Sequence, residues 1–68
     1  MPKKIRELKQ MLRQAGCMSE SGKGSHTKWK HPRLMDKLTL SGNDGQDAKP
    51  YQERDVKSYL REIEEAES

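Results

Sequence analysis

Cysteine occurs once, at Cys17, so no internal disulfide can form and no cysteine cluster can hold zinc, which fits a reducing compartment. Phenylalanine is absent, tryptophan occurs once, and apolar residues make up only 29% of the 68 residues. A chain with so little to bury builds a small core and has modest stability. Covering apolar surface with a partner chain or with a second copy is therefore physically attractive. Long apolar runs are missing too. The start, Met1-Pro2-Lys3-Lys4, breaks its pattern with charge, so neither a signal peptide nor a membrane span is expected, and the expected location is the cytoplasm with no membrane partner. The charged fraction of 37% and the shortage of aromatics lean toward disorder, but both ends show helical periodicity and the net charge is only +3.

That net charge hides an asymmetry. Residues 1–34 hold nine Lys or Arg against Glu7 and Glu20, whereas residues 35–68 hold five against nine acids. The front half is the one suited to a polyanion, since nucleic-acid affinity comes largely from counterions released by Lys and Arg. A basic surface that is merely solvated has the same composition.

Taken in order, Ile5, Leu8, Leu12 and Ala15 recur at helical spacing and predict an amphipathic helix over 3–15, with Lys4, Arg6, Lys9, Gln10 and Arg13 on its other faces. Gly16 stands where a left-handed stop belongs. Cys17 and Met18 lead into a brief strand through Ser19-Glu20-Ser21, with Cys17 read as a buried small hydrophobe rather than a nucleophile. Gly22-Lys23-Gly24 predicts a tight turn whose amides can approach an anion, and Ser25 to Lys30 the central strand, ended by Pro32. Alternation then puts His26, Lys28 and Lys30 on one face and Ser25, Thr27 and Trp29 on the other. Trp29 is read as core rather than as a base-stacking surface, and His31 as the cap of a loop. A further strand follows at Lys37 to Leu40, turning toward the core through Leu38 and Leu40, and Ser41-Gly42-Asn43-Asp44-Gly45 ends it. The acids of that turn lack a full set of calcium ligands. Pro50 opens a last helix with a buried stripe of Val56, Tyr59, Leu60 and Ile63, and its acidic end is expected to fray. The reading is one domain over residues 1–68 of α+β class, order α-β-β-β-α. A three-stranded antiparallel sheet carries both helices on one face, an arrangement that resembles the double-stranded-RNA-binding domain.

The run Gly22-Lys23-Gly24-Ser25-His26, set between an amphipathic helix ending in Ala15-Gly16 and an aromatic followed by His31-Pro32, resembles the HicA family of toxins, small ribonucleases of bacterial toxin-antitoxin systems. Two positions depart from the family pattern. Cys17 stands where many relatives have an aromatic, and Ser41-Gly42 where many have Pro and His, which leaves more resting on His26. Without the resemblance, His26 is a turn histidine like many others. With it, the expected function is a metal-independent endoribonuclease that cleaves mRNA. It needs no cofactor and is restrained by a HicB-like antitoxin, as a hetero-oligomer or alongside a homodimer. His26 is then the catalytic base on a ribose 2′-hydroxyl, with Gly22, Lys23, Gly24, Ser25, Lys28 and Lys30 binding phosphate. The leaving oxygen can take its proton from water, a lysine or His26. A non-catalytic RNA-binding module and a small structural adaptor are the competing functions.

Overall fold

The structure, a computed structural model, describes residues 3–67, so Met1 and Pro2 of the charged start, and Ser68, lie outside the described residues. Helix α1 spans Ile5–Gln14, strands β1, β2 and β3 span Met18–Ser21, Thr27–Lys30 and Leu38–Leu40, and helix α2 spans Pro50–Glu67. The three strands form one antiparallel sheet in the order β1-β2-β3. The expected α-β-β-β-α arrangement is present.

Helix α1 buries Ile5, Leu8 and Leu12, three of the four residues its spacing singled out, while Ala15 is its half-buried C-cap, and Gly16 follows at φ 93°. Lys4 at its N-cap offers no side-chain acceptor. Backbone from the segment after β3 takes that role: the Ile5 N–H donates to Gln46 O at 2.9 Å and the Arg6 N–H to Asp44 O at 3.2 Å, satisfying donors that a helix start leaves open. An isolated antiparallel bridge, Lys4 with Asp47, and the Ala48 N–H on Lys3 O at 2.7 Å extend the tie. The loop after β3 is thereby fastened over the start of α1.

Register sets the two faces of the sheet. Trp29 lies opposite Ser19 and Leu38, whereas Lys28 lies opposite Glu20 and Thr39. Trp29, 1% exposed, and Leu40 pack with Ile5, Leu8 and Leu12 of α1 and Val56, Tyr59 and Ile63 of α2 in one core, so both helices cover the Trp29 face. Lys28 is exposed on the opposite face, where Lys30 pairs with Glu20 at 3.0 Å. Burial of the only tryptophan removes base stacking from its roles.

Several boundaries differ from the sequence expectation, beginning with α1, which spans Ile5–Gln14 rather than 3–15. Strand β2 begins at Thr27, because Ser25 and His26 are taken up by the preceding turn, and β3 begins at Leu38 rather than Lys37. Helix α2 stays helical through Glu67 instead of fraying, with the Glu67 carboxylate 3.6 Å from the His31 ring. At its start, Gln52 is buried. Its amide oxygen accepts from the Lys49 N–H at 2.9 Å, one half of a capping box, while its NH2 donates to Ser41 O at 2.9 Å.

Candidate active site

The β1–β2 connection, residues 22–26, is closed by two backbone bonds: the Gly22 N–H donates to His26 O at 2.9 Å and the His26 N–H to Lys23 O at 3.1 Å. Its two outer glycines have different tasks. A Cβ on Gly22 would stand 3.0 Å from His26 O and 3.4 Å from His26 Cβ, so Gly22 permits a close approach of backbone. Gly24 has open space around it and a φ of 60°, so it supplies left-handed conformation.

The turn also fixes the imidazole. His26 Nδ1 lies 3.1 Å from Lys23 O. A carbonyl oxygen only accepts, so Nδ1 carries the proton, and in the neutral ring Nε2 is left as the basic nitrogen on an exposed side chain. Immediately downstream, Thr27 anchors the start of β2: Trp29 Nε1–H donates to Thr27 Oγ1 at 3.0 Å, and that hydroxyl donates to Leu40 O at 3.2 Å. The His26 ring is thus mounted on a short loop bolted to the core one residue later.

His26 lines two adjoining depressions. One is formed with Lys9, Gly22, Gly24, Ser25, Thr27, Gly42, Asn43 and Asp44, and the other with residues that include Ile5, Ser41, Lys49 and Gln52. The proposed phosphate groups therefore divide. Gly22, Gly24 and Ser25 share a depression with His26, whereas Lys28 and Lys30 line neither, standing instead on the sheet's open face. His26 falls outside β2, so strand alternation does not carry it onto the Lys28 and Lys30 face. The Gly22 amide is engaged by His26 O and the His26 amide by Lys23 O, which leaves the amides of Lys23, Gly24 and Ser25 as the turn donors without a partner among the described residues. Lys23 is exposed, and its ammonium has no partner among the described residues.

The second histidine is held differently. His31 is buried, its Nε2–H donates to Ala15 O at 3.2 Å, and its Nδ1 accepts from the Arg33 N–H at 3.1 Å. Both ring nitrogens are occupied in tying the end of α1 to the β2–β3 loop, the capping role its sequence position suggested. Cys17 is buried, and burial pushes its thiol pKa up, which suits a packing residue and not a nucleophile. Among the described residues, no group of three or more His, Cys, Asp or Glu is placed to hold a metal ion, and no helix is long and apolar enough to cross a membrane.

Residues 5–66 match the family model for the HicA toxin of bacterial toxin-antitoxin systems. The chain belongs to the HicA toxin family. No curated protein and no solved structure matches it. Membership makes this chain a toxin of a toxin-antitoxin system and implies an antitoxin partner in general terms. The match spans both helices and all three strands, so it includes the Gly22–His26 loop and the segment after β3. In this HicA chain, Ser41 and Gly42, which stand where the family resemblance led us to expect Pro and His, line the same depression as His26.

One site residue escaped sequence reasoning. Lys9 reads from its spacing as one of several cations on the exposed side of α1, yet its side chain is only 14% exposed and lines the His26 depression, where its Nζ meets Asp44 Oδ1 at 2.6 Å. The available signal was its position next to Leu8 and four residues after Ile5, on the flank of the buried stripe.

Proposed function

We propose that this HicA chain is a metal-independent endoribonuclease that cleaves mRNA in the cytoplasm and is neutralised by a HicB-like antitoxin. The observation that carries the reading is the His26 ring, held through Nδ1–H on Lys23 O with Nε2 directed away from that bond on an exposed side chain. This is the tautomer a general base requires. A ribose 2′-hydroxyl gives its proton to Nε2 while its oxygen bonds to the adjacent phosphorus. The bond from phosphorus to the 5′-oxygen breaks, and that oxygen takes up a proton. The products are a 2′,3′-cyclic phosphate and a 5′-hydroxyl. Lys23 and the amides of Gly24 and Ser25 supply positive charge and donors for the phosphorane oxygens. Lys28 and Lys30, on the open face, contribute to holding the flanking RNA backbone rather than the reacting phosphate.

Incubating the purified chain with RNA in EDTA tests this. Cleavage is expected to persist, to leave cyclic or 3′-phosphate ends, and to fall at least about a hundredfold in His26→Ala, in keeping with removal of a general base. Expression of the wild type is expected to arrest growth, and that of the variant is not. Ends bearing 3′-hydroxyls exclude attack by the 2′-hydroxyl. Exposed Lys28 and half-buried Lys30 on the open sheet face support one other reading, RNA binding without cleavage, and salt-dependent binding of intact RNA would select it.

A further inference from the structure

The Lys9–Asp44 pair is not part of the Gly22–His26 loop, yet it lines the same depression. Lys9 comes from the middle of α1, and Asp44 comes from the loop fastened over the start of that helix. The backbone oxygen of Asp44 accepts from the Arg6 N–H at 3.2 Å, while its carboxylate reaches Lys9 at 2.6 Å, so Asp44 is anchored at its main chain and directed at its side chain. The Lys9 side chain is 14% exposed and that of Asp44 65% exposed. Such a lysine has its stem packed, and its ammonium meets Asp44 in the lining of the depression. Contact with Lys9 also holds the Asp44 carboxyl below the usual carboxylate range. Lys9 is the one cation among the residues lining this first depression. An ammonium has three donors, and Asp44 is its only partner among the described residues.

We propose that Lys9 is a second cation, beside Lys23, that binds the reacting phosphate at His26, and that Asp44 is the positioning residue that holds its ammonium in the lining of the depression. The proposal rests on the ribonuclease reading above. It adds a cation from α1 to the charge of Lys23 in the loop, while Lys28 and Lys30 line neither His26 depression. Two of the three Nζ–H donors point to phosphate oxygens while the third stays on Asp44, so binding does not require the pair to break.

The experiment measures cleavage of a short single-stranded RNA, and binding of its 2′-O-methyl counterpart, which cannot be cleaved, across a salt series. Lys9→Gln is expected to lower kcat/KM at least about tenfold, the scale of one lost charged hydrogen bond. It is also expected to reduce the slope of log affinity against log salt by about one contact. Lys9→Arg is expected to recover part of the rate. Asp44→Ala is expected to lower kcat/KM, and Asp44→Asn, which keeps the Oδ1 acceptor, to restore most of it. Thermal melts of each variant separate these effects from unfolding. A folded Lys9→Gln that cleaves at the wild-type rate overturns the inference while leaving the ribonuclease reading intact. A faster Asp44→Ala overturns the positioning role, since Asp44 would then be shielding Lys9. A wild type that neither cleaves nor binds these RNAs overturns the ribonuclease reading itself, and the role of Lys9 with it.

Discussion

Two histidines five residues apart are held in opposite ways, and their hydrogen bonds explain why. His31 has a donor and an acceptor on its two nitrogens and is buried, whereas His26 has one nitrogen fixed and the other left over on an exposed side chain. A ring with both nitrogens committed is structural; a ring oriented through one is equipped for proton transfer. Two other buried groups, Cys17 and Tyr59, have pKa values raised chiefly by burial, and the Tyr59 hydroxyl donates to Asp36 O at 2.8 Å. Folding therefore favours their protonated forms. Their contribution is complete below the ordinary values, 9.0 for the thiol and 10.0 for the phenol, and declines as pH rises through the raised ones. Denaturant midpoints are expected to be flat from neutral pH to about 9 and to fall above it. A midpoint that holds constant to pH 11 contradicts this.

At the scale of elements, the β1–β2 loop couples glycine chemistry to the position of the His26 ring. Gly24→Ala is expected to cost about 1–2 kcal/mol of stability, the penalty for a side chain in left-handed backbone, because nothing crowds the new methyl group. Gly22→Ala has a different outcome. Its methyl group would press on the backbone and Cβ of His26, so the histidine must shift by a few tenths of an ångström. Cleavage is expected to fall further in Gly22→Ala than in Gly24→Ala, because misplacing a reacting group costs rate steeply. Chemical denaturation and kcat measured on both variants check the pair. Equal activity losses that merely follow stability would remove the close Gly22–His26 contact from the mechanism. The loop after β3 is a second element with two tasks. It caps α1 through Asp44 O and Gln46 O, and it brings the Asp44 carboxylate to Lys9.

For the molecule as a whole, the small core leaves one sheet face uncovered, and that face carries Met18, 52% exposed, beside Lys28 and the Lys30–Glu20 pair. An antitoxin seated there would gain apolar contact and complementary charge, and one that also reached the loop end would occlude His26. Reversing both lysines, Lys28→Glu with Lys30→Glu, is expected to slow antitoxin association, with the largest effect at low salt. Stopped-flow association rates across a salt series provide the check. Unchanged rates at every salt concentration would mean that the antitoxin approaches elsewhere.

Helix stripes, the Gly16 stop, the burial of Trp29 and Leu40 and the α-β-β-β-α order were legible in the chain because each is written in local spacing and turn chemistry, which neighbours three or four residues apart impose. The family likeness was legible for the same reason, in one contiguous run from Gly22 to His26 with its flanking helix. Tertiary structure decided what those neighbours cannot. Alternation along an assumed strand grouped His26 with Lys28 and Lys30, but the strand begins one residue later, and the His26 N–H closes the turn on Lys23 O. The spacing of Lys9 places it on the flank of the buried stripe of α1, but does not say that this flank meets His26. Its place follows from α1 packing beneath the loop end and from Asp44, 35 residues away, being fastened over that helix. Spacing assigns a residue to a face of its own element. Which faces then meet is set by the packing of elements far apart in the chain.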